Sequence, residues 1–310
     1  MLGKGDNRLA VIDLGSNTFH LLIVDLDVNN QVFSEVFRLR EYVYLAQSGI
    51  EELSSQAVLR GLKCLALFLE KAKEYSVTKF KIIGTSAIRS ASNGGAFVDQ
   101  VYADFGLKIE VIDGQREAQL IYKGITSFLN PKLQNQNIII DIGGGSVEVI
   151  LTKGAVLAQS WSFDCGISVL RKEWRRNDPP TKNDKQVFTK IVDAKVGGQL
   201  DALSRYTIDN IVGASGPFEI VESYFELAPN PEGNKIEVRA LEEVIAMVTS
   251  SDKMSRLEIK GMSYSRHDLS MESMMLLEYF LKITKSRPTN LIVSQYALKE
   301  GIIAESLYLD

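Results

Sequence analysis

Two acid-and-glycine stretches carry the residues best suited to chemistry. Asp13 is followed by Gly15, Ser16, Asn17 and Thr18, and Asp141 by Gly143, Gly144, Gly145 and Ser146. In each copy an apolar, β-favouring run ends in the aspartate, and a second apolar run begins just beyond the turn, at 21–24 and 149–151. Each reads as strand, tight turn, strand. An acid where strand gives way to turn presents its carboxylate to solvent or to a cleft. Glycines there remove side chains and let backbone N–H groups approach a ligand, which suits an anionic phosphate. Asp and Gly are also ordinary hairpin residues, so either copy alone reads equally well as a plain turn. Repetition of the whole unit points instead to two similar lobes handling phosphate on one ligand. A Walker phosphate loop is absent, and the 143–146 loop leads into a strand, unlike the dinucleotide fingerprint, which opens a helix.

The elements that must position these residues follow from periodicity. Strands are expected at 9–13, 19–26 and 32–39, with a turn at 27–30. Apolar residues at Val58, Leu62, Leu65 and Leu69 mark a helix over 56–75. A short strand at 80–83 leads into Thr85-Ser-Ala-Ile-Arg89; a helix at 96–105 is closed by Gly106, a strand covers 107–112, and a helix opens at 114–117 and runs to about 127. The polar, proline-containing stretch 130–137 reads as a linker. Strands then resume at 138–141, 147–152 and 156–163, followed by helices at 169–176 and 188–204, the latter weakened by Gly197 and Gly198. A strand at 208–212 enters Gly213-Ala-Ser215, a loop covers 229–234, and helices fill most of the rest before a strand at 291–293 and a helix over 296–307. Both halves thus run as three strands followed by alternating helices and strands, an α/β arrangement with mixed sheets. Two domains are expected, 1–126 and 127–310, with the last helix free to pack back on the first.

Composition bounds the partners. The 310 residues are 45% hydrophobic and 24% charged with a net charge of −4, an ordinary globular chain and no general nucleic-acid or membrane-surface binder. An anionic ligand therefore needs a local basic patch. Cys64 and Cys165 lie far apart within apolar patterns, which fits structural thiols in a reducing compartment. The start has no hydrophobic signal core and nowhere do 18 apolar residues run together, so a cytoplasmic location is expected. His20 and His267 are the only histidines, too few for a Cys/His zinc site, and His20 reads as structural. A hard ion held by carboxylates and substrate phosphates fits better.

The chain resembles the exopolyphosphatase and guanosine pentaphosphate phosphohydrolase family of the actin, hexokinase and heat-shock ATPase superfamily. The likeness is carried by Ile12-Asp-Leu-Gly-Ser-Asn-Thr-Phe-His20, Thr85-Ser-Ala-Ile-Arg89, Ile112-Asp-Gly-Gln-Arg-Glu117, Asp141-Ile-Gly-Gly-Gly-Ser-Val-Glu148 and Val293-Ser-Gln-Tyr-Ala-Leu-Lys-Glu-Gly301. Val147 stands where the family usually has threonine, and Gly213-Ala-Ser-Gly-Pro217 replaces a Gly-Thr-Ser-Gly-Thr. The resemblance implies two actin-like (ribonuclease-H-like) α/β domains, with mixed sheets flanked by helices and an interdomain cleft. It further implies a magnesium-assisted phosphohydrolase releasing terminal phosphate from inorganic polyphosphate or, alternatively, from guanosine pentaphosphate. A regulatory phosphate or nucleotide sensor with little turnover is a second alternative, and an ATP-driven kinase or filament protein of the same superfamily a third. The chain is similar to the short members that lack extra helical domains, so short oligophosphates are expected to be cut about as well as long ones. No nucleic acid or membrane partner is expected; a homodimer stays open.

Roles follow from what hydrolysis of a phosphoanhydride needs, a positioned water and neutralised charge. Backbone N–H groups at Gly15, Ser16 and Asn17 and at Gly143, Gly144, Gly145 and Ser146 would cradle oxygens, with the side chains of Ser16, Asn17, Thr18, Ser146 and Ser215 as further donors. Arg89 offers a guanidinium for bidentate phosphate contact, although a loop arginine is more often simply solvated. Glu117 matches the family's catalytic glutamate, where a carboxylate in hydrogen-bond reach of water adds about 10²–10⁴-fold in rate; a first-turn helix glutamate is also favoured by the helix dipole alone. Asp141 and Glu148 are further catalytic candidates, and with Asp13 they are the candidate magnesium ligands. The basic run Arg171-Lys-Glu-Trp-Arg-Arg176, like Arg38, Arg40, Lys123 and Arg266, reads as either a guide for a polyanion or a solvated surface, and Trp174 as either packing or a stacking platform for guanine.

Overall fold

The computed structural model describes residues 7–129, 133–283, 288 and 290–308. They form two compact units, one running to Ser127 and resuming at Leu298, the other spanning Phe128–Ala297. In the first, β1 (Arg8–Leu14), β2 (Thr18–Asp27) and β3 (Val32–Tyr42) are followed by α1 (Ser55–Glu74), β4 (Lys79–Gly84), α2 (Ser86–Ser90), α3 (Gly94–Phe105), β5 (Glu110–Val111) and α4 (Gly114–Leu129). The sheet order is β3-β2-β1-β4-β5, with β1 antiparallel to β2 and parallel to β4. Ala10, Val11, Ile12 and Leu21 to Val24 are all fully buried, the unbroken apolar runs of strands covered on both faces. β3 instead mixes Glu35, Arg38, Arg40 and Glu41 into its length, as an edge strand shielded by charge. α1 starts where the Ser54 hydroxyl accepts from the Ala57 N–H, and it buries Ala57, Gly61, Cys64, Leu65, Phe68 and Ala72, a stripe at helical spacing.

The second unit repeats the plan. β6 (Gln136–Ile142), β7 (Val147–Lys153) and β8 (Val156–Phe163) precede α5 (Ile167–Glu173), α6 (Lys182–Val196), β9 (Asn210–Ala214), α7 (Pro217–Phe225), β10 (Asn234–Glu237), α8 (Val238–Ser250), α9 (Tyr264–Ile283) and β11 (Asn290–Val293). Sheet order is β10-β11-β9-β6-β7-β8, again with an antiparallel hairpin, β6–β7, beside a parallel neighbour, β9. Met271, Met274, Met275, Leu276 and Leu277 of α9 enter the core of this unit. The chain then returns to the first unit as α10 (Leu298–Tyr308), the helix expected either in the second domain or packed back on the first. The mixed-sheet α/β reading is borne out in both units.

Several local expectations are corrected. The strand at 107–112 shrinks to β5, because only Glu110 and Val111 find ladder partners on β4, at Ile83 and Gly84. The helix at 169–176 ends at Glu173, where Trp174 turns to extended backbone. The helix expected over 188–204 starts earlier, at a capping box between Thr181 and Asp184, and ends at Gly197, whose φ of +57° breaks it into a 3-10 stretch. β10 falls where only loop and helix are expected. Of the linker at 130–137, positions 130–132 lie outside the described residues, and β6 already begins at Gln136.

Candidate active site

Each unit builds a similar turn on its first hairpin. In the first, the β1–β2 turn is closed by the Gly15 N–H donating to the Thr18 carbonyl at 3.1 Å. A Cβ on Gly15 would lie 2.8 Å from that carbonyl oxygen, so no side chain fits. The carbonyl of Ser16 accepts from Ala46 N–H at 2.9 Å, and that of Asn17 from Val43 and Tyr44 at 3.0 and 2.8 Å. Arg60 of α1 holds this bracing segment in turn, donating to the carbonyls of Val43 and Tyr44. In a trans peptide the N–H points opposite to the preceding C=O, so tying these carbonyls down turns the N–H groups of Asn17 and Thr18 the other way.

The turn of the second unit uses the same device. Gly143 N–H donates to the Ser146 carbonyl at 3.0 Å, and the carbonyls of Gly143, Gly144 and Gly145 accept from Ile167, Ser168 and Gly166 at 3.1, 2.7 and 3.0 Å. The entry to α5 thus consumes its own orphan amides on the loop. A Cβ on Gly166 would come within 2.5 Å of the Gly144 carbonyl oxygen, so that approach requires glycine. With three carbonyls fixed, the N–H groups of Gly144, Gly145 and Ser146 face away from α5, an anion-binding nest in form.

The rows of side chains beside the two turns differ in charge. Directly opposed residues of antiparallel strands share a face. In the first unit Asp13 opposes His20, and His20 opposes Arg40. In the second, Asp141 opposes Glu148, which opposes Ser162. Asp141 and Glu148 are both buried; the Ser215 hydroxyl donates to Asp141 Oδ2 at 3.2 Å, and that of Ser162 to Glu148 Oε1 at 2.8 Å. Ser215 sits at the exit of β9 with φ +62°, and Gly216 follows at φ +50° because a Cβ there would strike the Ile142 carbonyl at 2.2 Å. Burial pushes the Asp13 carboxyl up to about 6, opposed by the positive charge of Lys299 and reinforced by Glu300. His20 is held well below its ordinary value by burial and by Lys299, Arg40 and Arg38, and it pairs with the Thr18 hydroxyl at 2.9 Å. That is a neutral, structural histidine.

Arg89 and Glu117 come together in the first unit. α2 presents Arg89, whose Nη1 donates to the Ile112 carbonyl at 2.7 Å and to Glu117 Oε2 at 3.2 Å. Glu117 lies in the first turn of α4 and is buried. The other basic candidates are neutralised locally. Arg171 pairs with Asp268 and Arg176 with Glu272; Arg38 pairs with Glu35 and Glu300, Lys123 with Glu305 and Arg266 with Glu219. Arg40 lies 5.5 Å from the centre of the Tyr42 ring. Trp174 is buried against Phe188 with its indole N–H donating to the Asp184 carbonyl, so it packs and offers no face to guanine. Sequence reasoning missed Ser162 and Arg60, whose roles depend on strand register and loop packing. Among the described residues no group of three or more His, Cys, Asp or Glu side chains forms a metal cage.

The profile of the Ppx/GppA phosphatase family matches residues 23–309. The chain belongs to the Ppx/GppA phosphatase family. An exopolyphosphatase crystal structure from Cytophaga hutchinsonii superposes with a TM-score of 0.88 at 29% identity, covering 97% of each chain. A Haemophilus influenzae protein designated as an exopolyphosphatase is 28% identical over 306 residues, 97% of this chain and 92% of that protein. The guanosine-5'-triphosphate,3'-diphosphate pyrophosphatase of Photobacterium profundum is also 28% identical, but the match spans 59% of its length against 96% of this chain. This Ppx/GppA chain is a hydrolase with the actin-like fold of its structural relatives. No helix among its described residues is long and apolar enough to cross a membrane.

Proposed function

We propose that this phosphatase releases the terminal phosphate of inorganic polyphosphate by attack of water. The observation that carries the reading is the duplicated turn whose carbonyls are bonded backward, so that its N–H groups face forward in each unit. Phosphate oxygens bind those amides, with Ser16, Asn17, Thr18 and Ser146 as side-chain donors. Ser215 acts alongside them through Asp141. Arg89 supplies charge to the phosphoryl group, and Glu117 orients the attacking water and takes its proton. Arg89 and Glu117 already touch, so a phosphate bound to the guanidinium would lie within reach of the base.

Asp141 and Glu148 suit magnesium: they are buried, opposed in register and each steadied by a serine hydroxyl. Magnesium commonly takes one or two protein carboxylates and completes its shell with water and substrate phosphates, which fits a site without a full protein cage. Bound there, the ion would offset phosphate charge on the leaving group. Asp13, facing Lys299, is the third candidate carboxylate. Guanosine pentaphosphate presents the same terminal anhydride and is the second reading, supported by the 28% identity to the Photobacterium enzyme over 314 residues. The decisive experiment compares phosphate release from polyphosphate, guanosine pentaphosphate and ATP with magnesium. Release from polyphosphate at the highest kcat/KM supports the proposal; preference for guanosine pentaphosphate replaces it with the second reading, and no release from any of the three overturns both.

A further inference from the structure

Lys299 is placed against two electrostatic preferences. It is buried, at 9% exposure, and it stands in the first turn of α10, where the helix dipole disfavours a cation. A buried lysine normally finds a carboxylate. Lys299 makes no hydrogen bond or ion pair with any described residue; its neighbour Glu300 is instead taken by Arg38 at 3.4 Å. Its field reaches both Asp13 and His20, the opposed pair beside the β1–β2 turn. α10 packs on β1 and β2, which form that turn.

The position is also rigid. A Cβ on Gly301 would fall 1.9 Å from the Leu120 carbonyl oxygen, so α10 lies backbone to backbone on α4, the helix that carries Glu117. One turn further on, Glu305 takes both arms of the Arg116 guanidinium and approaches Lys123 at 3.7 Å. Lys299 is thereby held beside the phosphate turn by the same helix that braces Glu117. A cation fixed in place and lacking a direct partner is preorganised for an anion that arrives later.

We propose that Lys299 is a phosphate-binding residue of the first unit, its ammonium taking a phosphate oxygen of the substrate held at the β1–β2 turn. This rests on the phosphohydrolase reading and deepens it: the first unit supplies cations, Lys299 and Arg89, and the second supplies carboxylates, Asp141 and Glu148.

The test is calorimetric binding of tripolyphosphate to the full chain, which needs no turnover. Lys299→Gln should weaken binding about 10- to 100-fold, the worth of one charge-assisted hydrogen bond, while Lys299→Arg stays within about threefold. Thermal melts accompany each variant, and Lys299→Met, whose apolar chain suits the buried position, replaces Lys299→Gln if the latter melts early. Binding by the neutral variant within about twofold of the parent overturns the assignment. So does equal weakening by Lys299→Arg, which would show that shape and not charge matters. Recovery of parental affinity when Asp13→Asn is added to Lys299→Gln also overturns it, since the lysine would then only neutralise Asp13. If the parent itself fails to bind tripolyphosphate, the phosphohydrolase reading falls and the lysine assignment with it.

Discussion

Arg89 Nη1 lies 3.2 Å from Glu117 Oε2, joining the candidate phosphate-binding arginine and the candidate base across 28 positions of sequence. The contact gives the two residues separable signatures. Glu117→Gln keeps shape and hydrogen-bonding capacity but loses the basic carboxylate, so turnover should fall about 10²–10⁴-fold while polyphosphate affinity stays near the parent value. Single-turnover and equilibrium binding measurements separate the two; turnover within a few-fold of the parent would remove Glu117 from the mechanism.

Arg89→Ala should act differently. It deletes a phosphate contact and leaves a buried carboxylate without its cation, so KM should rise about tenfold or more and kcat should fall as well. The guanidinium also holds the Ile112 carbonyl, so the melt should drop by a few degrees. Unchanged KM would exclude this guanidinium from the phosphate site.

The glycine at the mouth of α5 is a third handle. Gly166→Ala places a methyl within 2.5 Å of the Gly144 carbonyl oxygen and must push the 143–146 loop away from its three amide donors. Overpacking of this kind costs about 1–3 kcal/mol. Weaker tripolyphosphate binding together with a lower melting temperature is expected, and parental values for both would show that the loop does not need this brace.

Magnesium dependence follows from the opposed acids. Chelation should abolish phosphate release and added magnesium restore it, while Asp141→Asn and Glu148→Gln should raise the magnesium needed for half-maximal rate about 10-fold or more. Full activity after exhaustive chelation would contradict this.

Acid stability has an identifiable contributor in Asp184. Hydrogen bonds from Asn177 and Thr181 hold its carboxyl down to about 2. A depressed pKa contributes stability that is present above the unfolded value of 3.8 and disappears as pH falls toward 2. Asp184→Asn should therefore be less stable than the parent at neutral pH, with the gap closing between about pH 4 and pH 2. A gap independent of pH, read from urea midpoints, would assign the effect to packing.

Much of this site is legible in the residues and part is not. The two turns show themselves because an acid, a glycine and a hydroxyl residue must occupy fixed positions of a tight phosphate turn, and the buried runs of β1, β2, β6 and β7 leave little choice of element. β10 escapes because its four residues, Asn234 to Glu237, gain strand geometry only from pairing with β11. Ser162 is invisible for a similar reason: its tie to Glu148 depends on register between β7 and β8, which shifts by a bulge after Leu151. The α6 start is hard to see because the Thr181–Asp184 box opens seven positions ahead of the first strongly apolar spacing, at Phe188. Lys299 hides in a motif whose helix must first be folded onto β1 before its burial means anything.

The return of α10 to the first unit has a consequence for biogenesis. A ribosome finishes β1 with Asp13, α2 with Arg89 and α4 with Glu117, and then makes all of Phe128–Ala297 before it reaches α10, which rejoins that unit. At roughly 5–20 residues per second the nascent lobe waits on the order of ten seconds with the seat of Ile302, Ile303 and Leu307 uncovered. Until then Arg116 lacks Glu305 and the β1–β2 turn lacks Lys299. The first unit therefore stays without part of its packing until the whole of the second has been made.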